Sequence, residues 1–393
     1  MSLTGAAEAA LPVMIEDLRG YVEIETPSDD RPSLEKGLSW LDGLVADRLG
    51  PAASSTLVPG GRYGDVRVLE YAGTDGTAGT DGIDGTAGTS AEPVLLLAHY
   101  DTVWPLGTLD TMPFAVHDDR ITGPGVFDMK AGLVQALWAV RIARAAGLAL
   151  PPLRLLLTGD EEIGSPVSRS VIERAADGAR AGLVFEAAGP DGEVKTARKG
   201  VGMFRLDVDG VEAHAGLDPT AGASAVDELA RAVLALHAAR DLDAGTSVNV
   251  GVVGGGTRSN VTAGHAWCEI DVRVSGDAET ARIDGVLAGL RPHHPDATLR
   301  VEGEWNRPVM ERTPATARLY ELARTAAAGI GTDLAEIAVG GASDANFLAA
   351  RGLPVLDGLG ALGAGAHARH EHALVPGLVR QTALTAALLH ALA

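Results

Sequence analysis

Three short apolar runs constrain this chain more than any other feature: Val94-Leu95-Leu96-Leu97-Ala98, Leu153–Thr158 and Gly182–Glu186. A strand with one wet face alternates apolar and polar residues, so a run without alternation must be covered on both faces. Segments with helical patterning, Ala131–Ala146 and Val167–Ala176, separate the three. Strands alternating with helices build a mostly parallel sheet between helical layers. Ligands of such sheets bind just outside the strand ends. There this sequence places His99-Tyr100-Asp101, Asp160-Glu161-Glu162 and Glu186.

The series of metal-ligand types continues with Asp128, in Gly-Pro-Gly-Val-Phe-Asp-Met-Lys, and His367 near the C-terminus. Taken singly, each has a plain structural reading. His99 and Asp101 could be a hydrogen-bonded pair, Asp128 an N-cap for the segment from Ala131, and the acidic triplet a solvated helix start. Their shared position at the ends of one sheet points instead to two divalent cations and a bridging water, the equipment of a hydrolase. Imidazoles and carboxylates without thiolates suit zinc or a neighbouring first-row metal. Asp101, two residues from His99, can reach the ring's other nitrogen and fix its tautomer. Adjacent glutamates cannot both face one cation from a regular strand, so one serves as ligand and the other as base.

The 393 residues exceed one ordinary core, and two domains are expected. A formal charge of −20 argues against nucleic acid or an anionic membrane as partner. The one cysteine, Cys268, excludes an intrachain disulfide and a cysteine-based metal site. Met1–Leu18 lacks a basic stretch followed by an apolar one, and no run approaches the roughly 18 apolar residues of a membrane span. A soluble cytoplasmic protein is expected.

Residues 5–20 and 33–48 read as amphipathic helices and Asp65–Tyr71 as a strand. Residues 73–90, rich in Gly, Thr and Asp, hold too little apolar surface to offset their ordering entropy and read as a mobile surface loop without a catalytic role. Near residue 199 the pattern changes to strand Gly202–Gly210, helix Ala223–Ala238, strands Ser247–Val253 and Ala266–Val274, helix Ala278–Leu290 and strand Thr298–Gly303. That βαββαβ order predicts a ferredoxin-like α+β domain over 199–308, inserted into an α/β/α catalytic domain formed by 1–198 and 309–393. The first domain resumes with a helix near Ala315–Ala327, strands near Ala335–Val339 and Pro354–Leu356, and a helix from about Leu378.

The motifs together resemble the M20 family of dizinc metallopeptidases, and most closely its glutamate carboxypeptidase branch. The stretches that carry the resemblance are Ala98–Trp104, Gly123–Gly132, Asp160–Ser165, Glu212-Ala213-His214-Ala215-Gly216 and Gly365–Glu371, in the family's order along essentially the whole chain. The resemblance implies a zinc-exopeptidase-like fold whose inserted domain is a lid and dimerisation domain. Asp128 would bridge two Zn2+ ions (Co2+ or Mn2+ as substitutes). His99 and Glu186 would complete one site, Glu162 and His367 the other, with a cis peptide after Asp128. His367 is preferred to His370 and His372 because Glu371 follows it by four residues.

By the same resemblance Glu161 is the general base, Asp101 supports His99, and His214 polarises the scissile carbonyl. Asn260 helps hold the oxyanion, while Arg273 and Arg307, with Lys199 as a further cation, bind the substrate's free carboxylate. Gly340-Gly341 before Ser343-Asp344 would line the pocket floor. The expected reaction is hydrolysis of a small peptide or N-acyl amino acid by a homodimer. A carboxypeptidase releasing a C-terminal residue, glutamate among the candidates, is the first reading. An N-acyl amino acid deacylase or desuccinylase of the same family is the second, and a non-catalytic metal-binding paralogue the third.

Overall fold

A computed structural model describes residues 1–76 and 92–393. Most of the Gly/Thr/Asp-rich segment read as a loop lies outside the described residues. The chain divides into two compact units. The first comprises Met1–Ala197, Arg312–Ala338 and Ser343–Ala393, and the second Arg198–Glu311 with Val339–Ala342.

The first unit is built on a six-stranded sheet in the order Ser54–Val58, Val66–Tyr71, Leu153–Thr158, Val94–His99, Ala181–Val184 and Val355–Leu356. The first two strands join antiparallel and the rest run parallel. All six residues of Val94–His99 are buried, as the unbroken apolar run requires. Val94, Leu96 and Ala98 pack with Leu153, Leu155 and Leu157 against Leu133 and Leu137 of helix Ala131–Ala145 and Leu384 and Leu388 of helix Val375–Ala391. Their neighbours Leu95, Leu97 and Leu156 are equally buried and, by strand alternation, point to the opposite face. Each such leucine contributes roughly 1.5–3 kcal/mol by leaving water, so the covered sheet is a rigid base for what its edges carry.

Gly132 shows how closely the layers meet: a Cβ there would lie 2.0 Å from the Phe185 carbonyl oxygen. Only a glycine lets helix Ala131–Ala145 begin against the segment that bears Glu186. That segment also departs from expectation, because the strand ends at Val184 and Glu186 stands two residues beyond it.

A second, four-stranded sheet was not foreseen. It pairs Gly363–Ala364, His372–Leu374, Arg120–Thr122 and Ala115–His117, strands of two or three residues that show no readable periodicity. Its pairings of His372 with Thr122 and Leu374 with Arg120 bring the C-terminal histidine loop to the turn after Thr122.

The second unit has the expected βαββαβ succession. Its antiparallel sheet runs Ser247–Gly255, His265–Val274, Gly200–Asp209, Thr298–Arg307, the spatial order of a split βαβ unit. Leu206, Val208, Ile270 and Val272 pack on Leu229 and Leu236 of helix Ala225–Ala238 and on Ile283 and Leu287 of helix Asp277–Gly289. The strands are longer than read from sequence, the last reaching Arg307 across a register shift between Trp305 and Arg307.

Candidate metal centre and active site

The strand Val94–His99 ends with the His99 ring buried, its side chain 2% exposed. Nδ1 lies 3.0 Å from the backbone oxygen of Asp101 and 3.5 Å from the Asp101 carboxylate. Both are acceptors, so together they favour the proton on Nδ1 and leave Nε2 directed at Asp128 Oδ1 (3.3 Å) and Glu186 Oε1 (3.6 Å). The Asp101 carboxylate also accepts the backbone N–H groups of Glu161 (3.1 Å) and Glu162 (3.2 Å) and the Ser28 hydroxyl (2.7 Å). Asp101 thus joins the histidine strand to the turn that carries the two glutamates.

Asp128 stands in the turn Val126–Lys130, before helix Ala131–Ala145, and its peptide to Met129 is cis, as the resemblance implies. Gly125, at φ 73°, opens the turn. A Cβ there would come within 2.6 Å of Thr102 Cγ2. The second Asp128 oxygen lies 3.3 Å from His367 Nε2, which is 3.1 Å from Glu162 Oε2. His99, Asp128 and Glu186 form one group, and Asp128, Glu162 and His367 another; within each, the ligand-type atoms all lie within 4.8 Å of one another. The competing histidines go elsewhere: His372 opens a short strand and its Nδ1 contacts the His370 carbonyl.

The donor set fits divalent cations. Glu162 Oε1 is buried with no hydrogen-bond partner, which is costly for a carboxylate that ligates nothing. Electrostatics make the same point. Burial is the largest influence on Glu186 and raises its pKa well above the usual range, helped by the charge on Asp128. Burial likewise raises Glu162. Burial pushes Asp128 up too, but its hydrogen bonds to His367 and His99 outweigh that and hold it below the ordinary carboxylate range. His367, hydrogen-bonded to Asp128 and Glu162, is pushed up to about 10. For His99 burial alone would lower the pKa, yet its carboxylate partners carry it well above 6.5. Protons thus hold together a carboxylate cluster that cations could hold instead, and cation binding would release them. Side-chain exposure rises from 2% at His99, through 5% at Glu162, 11% at Glu186 and 17% at Asp128, to 52% at His367. The cluster is closed at its floor and reachable from the His367 side.

Glu161 and Glu162 occupy a 3-10 turn after Leu153–Thr158. Asp160 accepts the Val167 and Ser168 N–H groups (2.7 and 3.1 Å) and so caps the following helix. Asp344 accepts the hydroxyls of Thr158 and Ser165, on either side of the glutamates. Ser343 and Asp344 are therefore buried braces of the first unit, whereas Gly340 and Gly341 belong to the second. Ser28 was missed, and Asp344 was read only as part of a family stretch, because a buried Asp–Ser contact leaves no pattern in one sequence.

In the second unit, His214 and Asn260 are brought together by backbone pairing. Ala215 N–H donates to the Asn260 carbonyl (3.0 Å), and Thr262 N–H to that of Ala213 (2.9 Å). His214 Nδ1 accepts the N–H groups of Gly216 and Leu217, each at 3.1 Å. A nitrogen that accepts two N–H bonds cannot carry the ring proton, so the exposed Nε2 is the donor. The Arg273 guanidinium grips Asp271 with two hydrogen bonds (2.9 and 2.8 Å), a neighbour that competes with a substrate carboxylate for the same fork. Arg307 is buried, beyond the register shift, with Nη1 3.0 Å from Asn306 Oδ1. A bulge at that point re-aims the side chain.

Two imidazole–carboxylate groups sharing one aspartate, with a further glutamate beside them, define a metal-dependent hydrolase. The profile of Peptidase family M20/M25/M40 matches residues 95–391, and the chain belongs to that family. Carboxypeptidase G2 of Pseudomonas sp. is 27% identical over 98% of this chain and 90% of its own length. Acetylornithine deacetylase of Myxococcus xanthus is 31% identical over 49% of this chain and 51% of its own. Among solved structures, the aminopeptidase PepT of Bacillus cereus superposes with a TM-score of 0.77 at 20% identity, covering 97% of this chain and 98% of that one. The chain is a hydrolase of amide bonds.

Proposed function

We propose that the protein is a zinc-dependent carboxypeptidase that releases a C-terminal amino acid from small peptides or N-acyl conjugates, with glutamate the first side chain to test. What carries the choice is the likeness to carboxypeptidase G2 along 98% of the chain, where the likeness to the deacetylase stops at about half. Deacylation of an N-acyl amino acid is the second reading, supported by that half-length match. A panel of dipeptides and N-acyl amino acids, read by released amino acid, separates the two.

His99, Asp128 and Glu186 would hold one cation, and Asp128, Glu162 and His367 the other, with Co2+ or Mn2+ as substitutes for zinc. When bound, the cations supply Lewis-acid polarisation of the carbonyl and of the attacking water. Glu161 takes the proton from that water as its oxygen bonds to the carbonyl carbon. It returns the proton to the amine nitrogen as the C–N bond breaks. Asp101 holds Glu161 for this exchange through the Glu161 N–H. His214 donates Nε2–H to the oxygen that gains negative charge, and Asn260 assists. Arg307, rather than Arg273, binds the free carboxylate, and Lys199 adds positive charge.

Glu161→Gln, which removes the base but none of the six ligand assignments, is expected to keep its bound metal and lose roughly 10²–10⁴-fold in kcat. Turnover near wild type in that variant would overturn the assignment. A homodimer through the inserted unit belongs to the same proposal. It is supported by the exposure of Leu234, Leu242 and Val253 there (70%, 74% and 61%) and is checked by light scattering. Among the described residues no helix is long and apolar enough to cross a membrane.

A further inference from the structure

Glu371 is a buried carboxylate that the chemistry above does not use. It is 1% exposed, and both of its oxygens are filled by N–H donors. Oε2 accepts the Trp104 indole Nε1–H (2.8 Å) and the Gly125 N–H (3.0 Å). Oε1 accepts the N–H groups of Phe127 (2.9 Å) and Asp128 itself (3.2 Å). Three of the four donors are backbone groups of the turn that carries Asp128. The fourth belongs to the segment that continues from His99 and Asp101.

Glu371 also closes the loop that carries His367. Ala368 N–H donates to the Gly365 carbonyl and Glu371 N–H to that of Ala368, both at 2.9 Å. Within this tight loop His367 adopts φ 60°, a left-handed conformation rare for a residue other than glycine. Such a conformation persists only where its surroundings over-determine it. Here the surroundings are the short strand His372–Leu374 on one side and the anchored Glu371 side chain on the other.

We infer that Glu371 is a positioning residue for the metal centre: its side chain locks the Asp128 turn to the His367 loop, so that Asp128 can serve both cations at once. His99, Asp128 and His367 arrive on three segments far apart in sequence, and Glu371 is a single group bonded to all three. A carboxylate suits this place because four N–H donors converge on its two oxygens. Glutamine would turn two amide hydrogens toward donors that need an acceptor.

The inference rests on the two-cation reading, and its test does not require a substrate. Wild type and Glu371→Gln are stripped of metal and titrated with Zn2+ against a chromogenic chelator, with circular dichroism and thermal melting as folding controls. Glu371→Gln is expected to fold and to bind the metal about 10–100-fold more weakly, the usual effect of losing a group that orients ligands. The Co2+-loaded variant should show a visible absorption band altered from wild type, and kcat should fall at saturating metal while KM stays within about twofold. A folded variant with wild-type Zn2+ affinity and an unchanged Co2+ spectrum would overturn the inference. If Glu371→Gln does not fold, Trp104→Phe decides. It removes only the indole donor, and affinity weakened about threefold or more supports the inference, while unchanged affinity overturns it. Wild type that binds metal but cleaves no substrate in the panel would count against the proposed activity alone.

Discussion

The ligand cluster of the first unit and the His214–Asn260 pair of the second are built in opposite ways. In the cluster every side chain but the half-exposed His367 is buried or nearly so, and neighbouring groups hold it: His99 by the Asp101 carbonyl, the Glu161–Glu162 turn by the Asp101 carboxylate, the Asp128 turn by Glu371. In the second unit the pair rests on backbone pairing between two exposed segments, and the His214 ring is held only by two N–H groups of its own turn. The lesson is that preorganisation is concentrated where charge is densest. Carboxylates crowded away from water need fixed geometry to be tolerated, whereas a neutral donor at the surface needs only the right tautomer.

That contrast is sharpened first by His214→Ala. Removing a donor to developing charge is expected to lower kcat by roughly 10²–10³-fold. Zn2+ content and melting temperature should stay close to wild-type values, because the side chain is exposed and holds only two N–H groups of its own turn. Loss of metal in this variant would break the comparison. A smaller effect is expected at Arg307. Arg307→Ala should raise KM about 10–100-fold by removing charge-assisted hydrogen bonds to the substrate carboxylate. Arg273→Ala, whose guanidinium already holds Asp271, should change KM by less than about threefold. The reverse order in measured KM values would return Arg273 to the substrate site. The smallest effect belongs to Ser28→Ala, which removes one hydrogen bond to the Asp101 carboxylate. Loosening the Glu161–Glu162 turn in this way should lower kcat about tenfold, roughly 1.4 kcal/mol. An unchanged kcat would show that the turn is held without it.

The metal-ligand residues were legible in sequence because strands of a covered sheet announce themselves as unbroken apolar runs, and the chemistry follows where they end. His99 needed no more than that, whereas the choice of Glu162 over Glu161 as ligand came from the family resemblance. His367 was harder: it follows no apolar run, and its place depends on a sheet of two- and three-residue strands whose pairing no periodicity reveals. The family's spacing to Glu371 located it. What bound the residues together was not legible. Glu371 stood in the motif as a spacing mark, Asp344 as the end of a family stretch and Ser28 as nothing at all, because hydrogen bonds across 244 or 179 residues leave no local pattern. Arg273 was read from the family resemblance, which gives no sign that Asp271, two residues away on the same strand face, competes for it.

The central claim is that Asp128 joins two cation sites into one hydrolytic centre. Its most direct test is a Zn2+ titration of metal-free wild type and Asp128→Ala, with bound metal counted per chain by mass spectrometry. The account predicts two tightly bound ions in wild type, one for each group, and the loss of tight binding at both when their shared carboxylate is removed. One ion per chain in wild type, or two retained in Asp128→Ala, would contradict it.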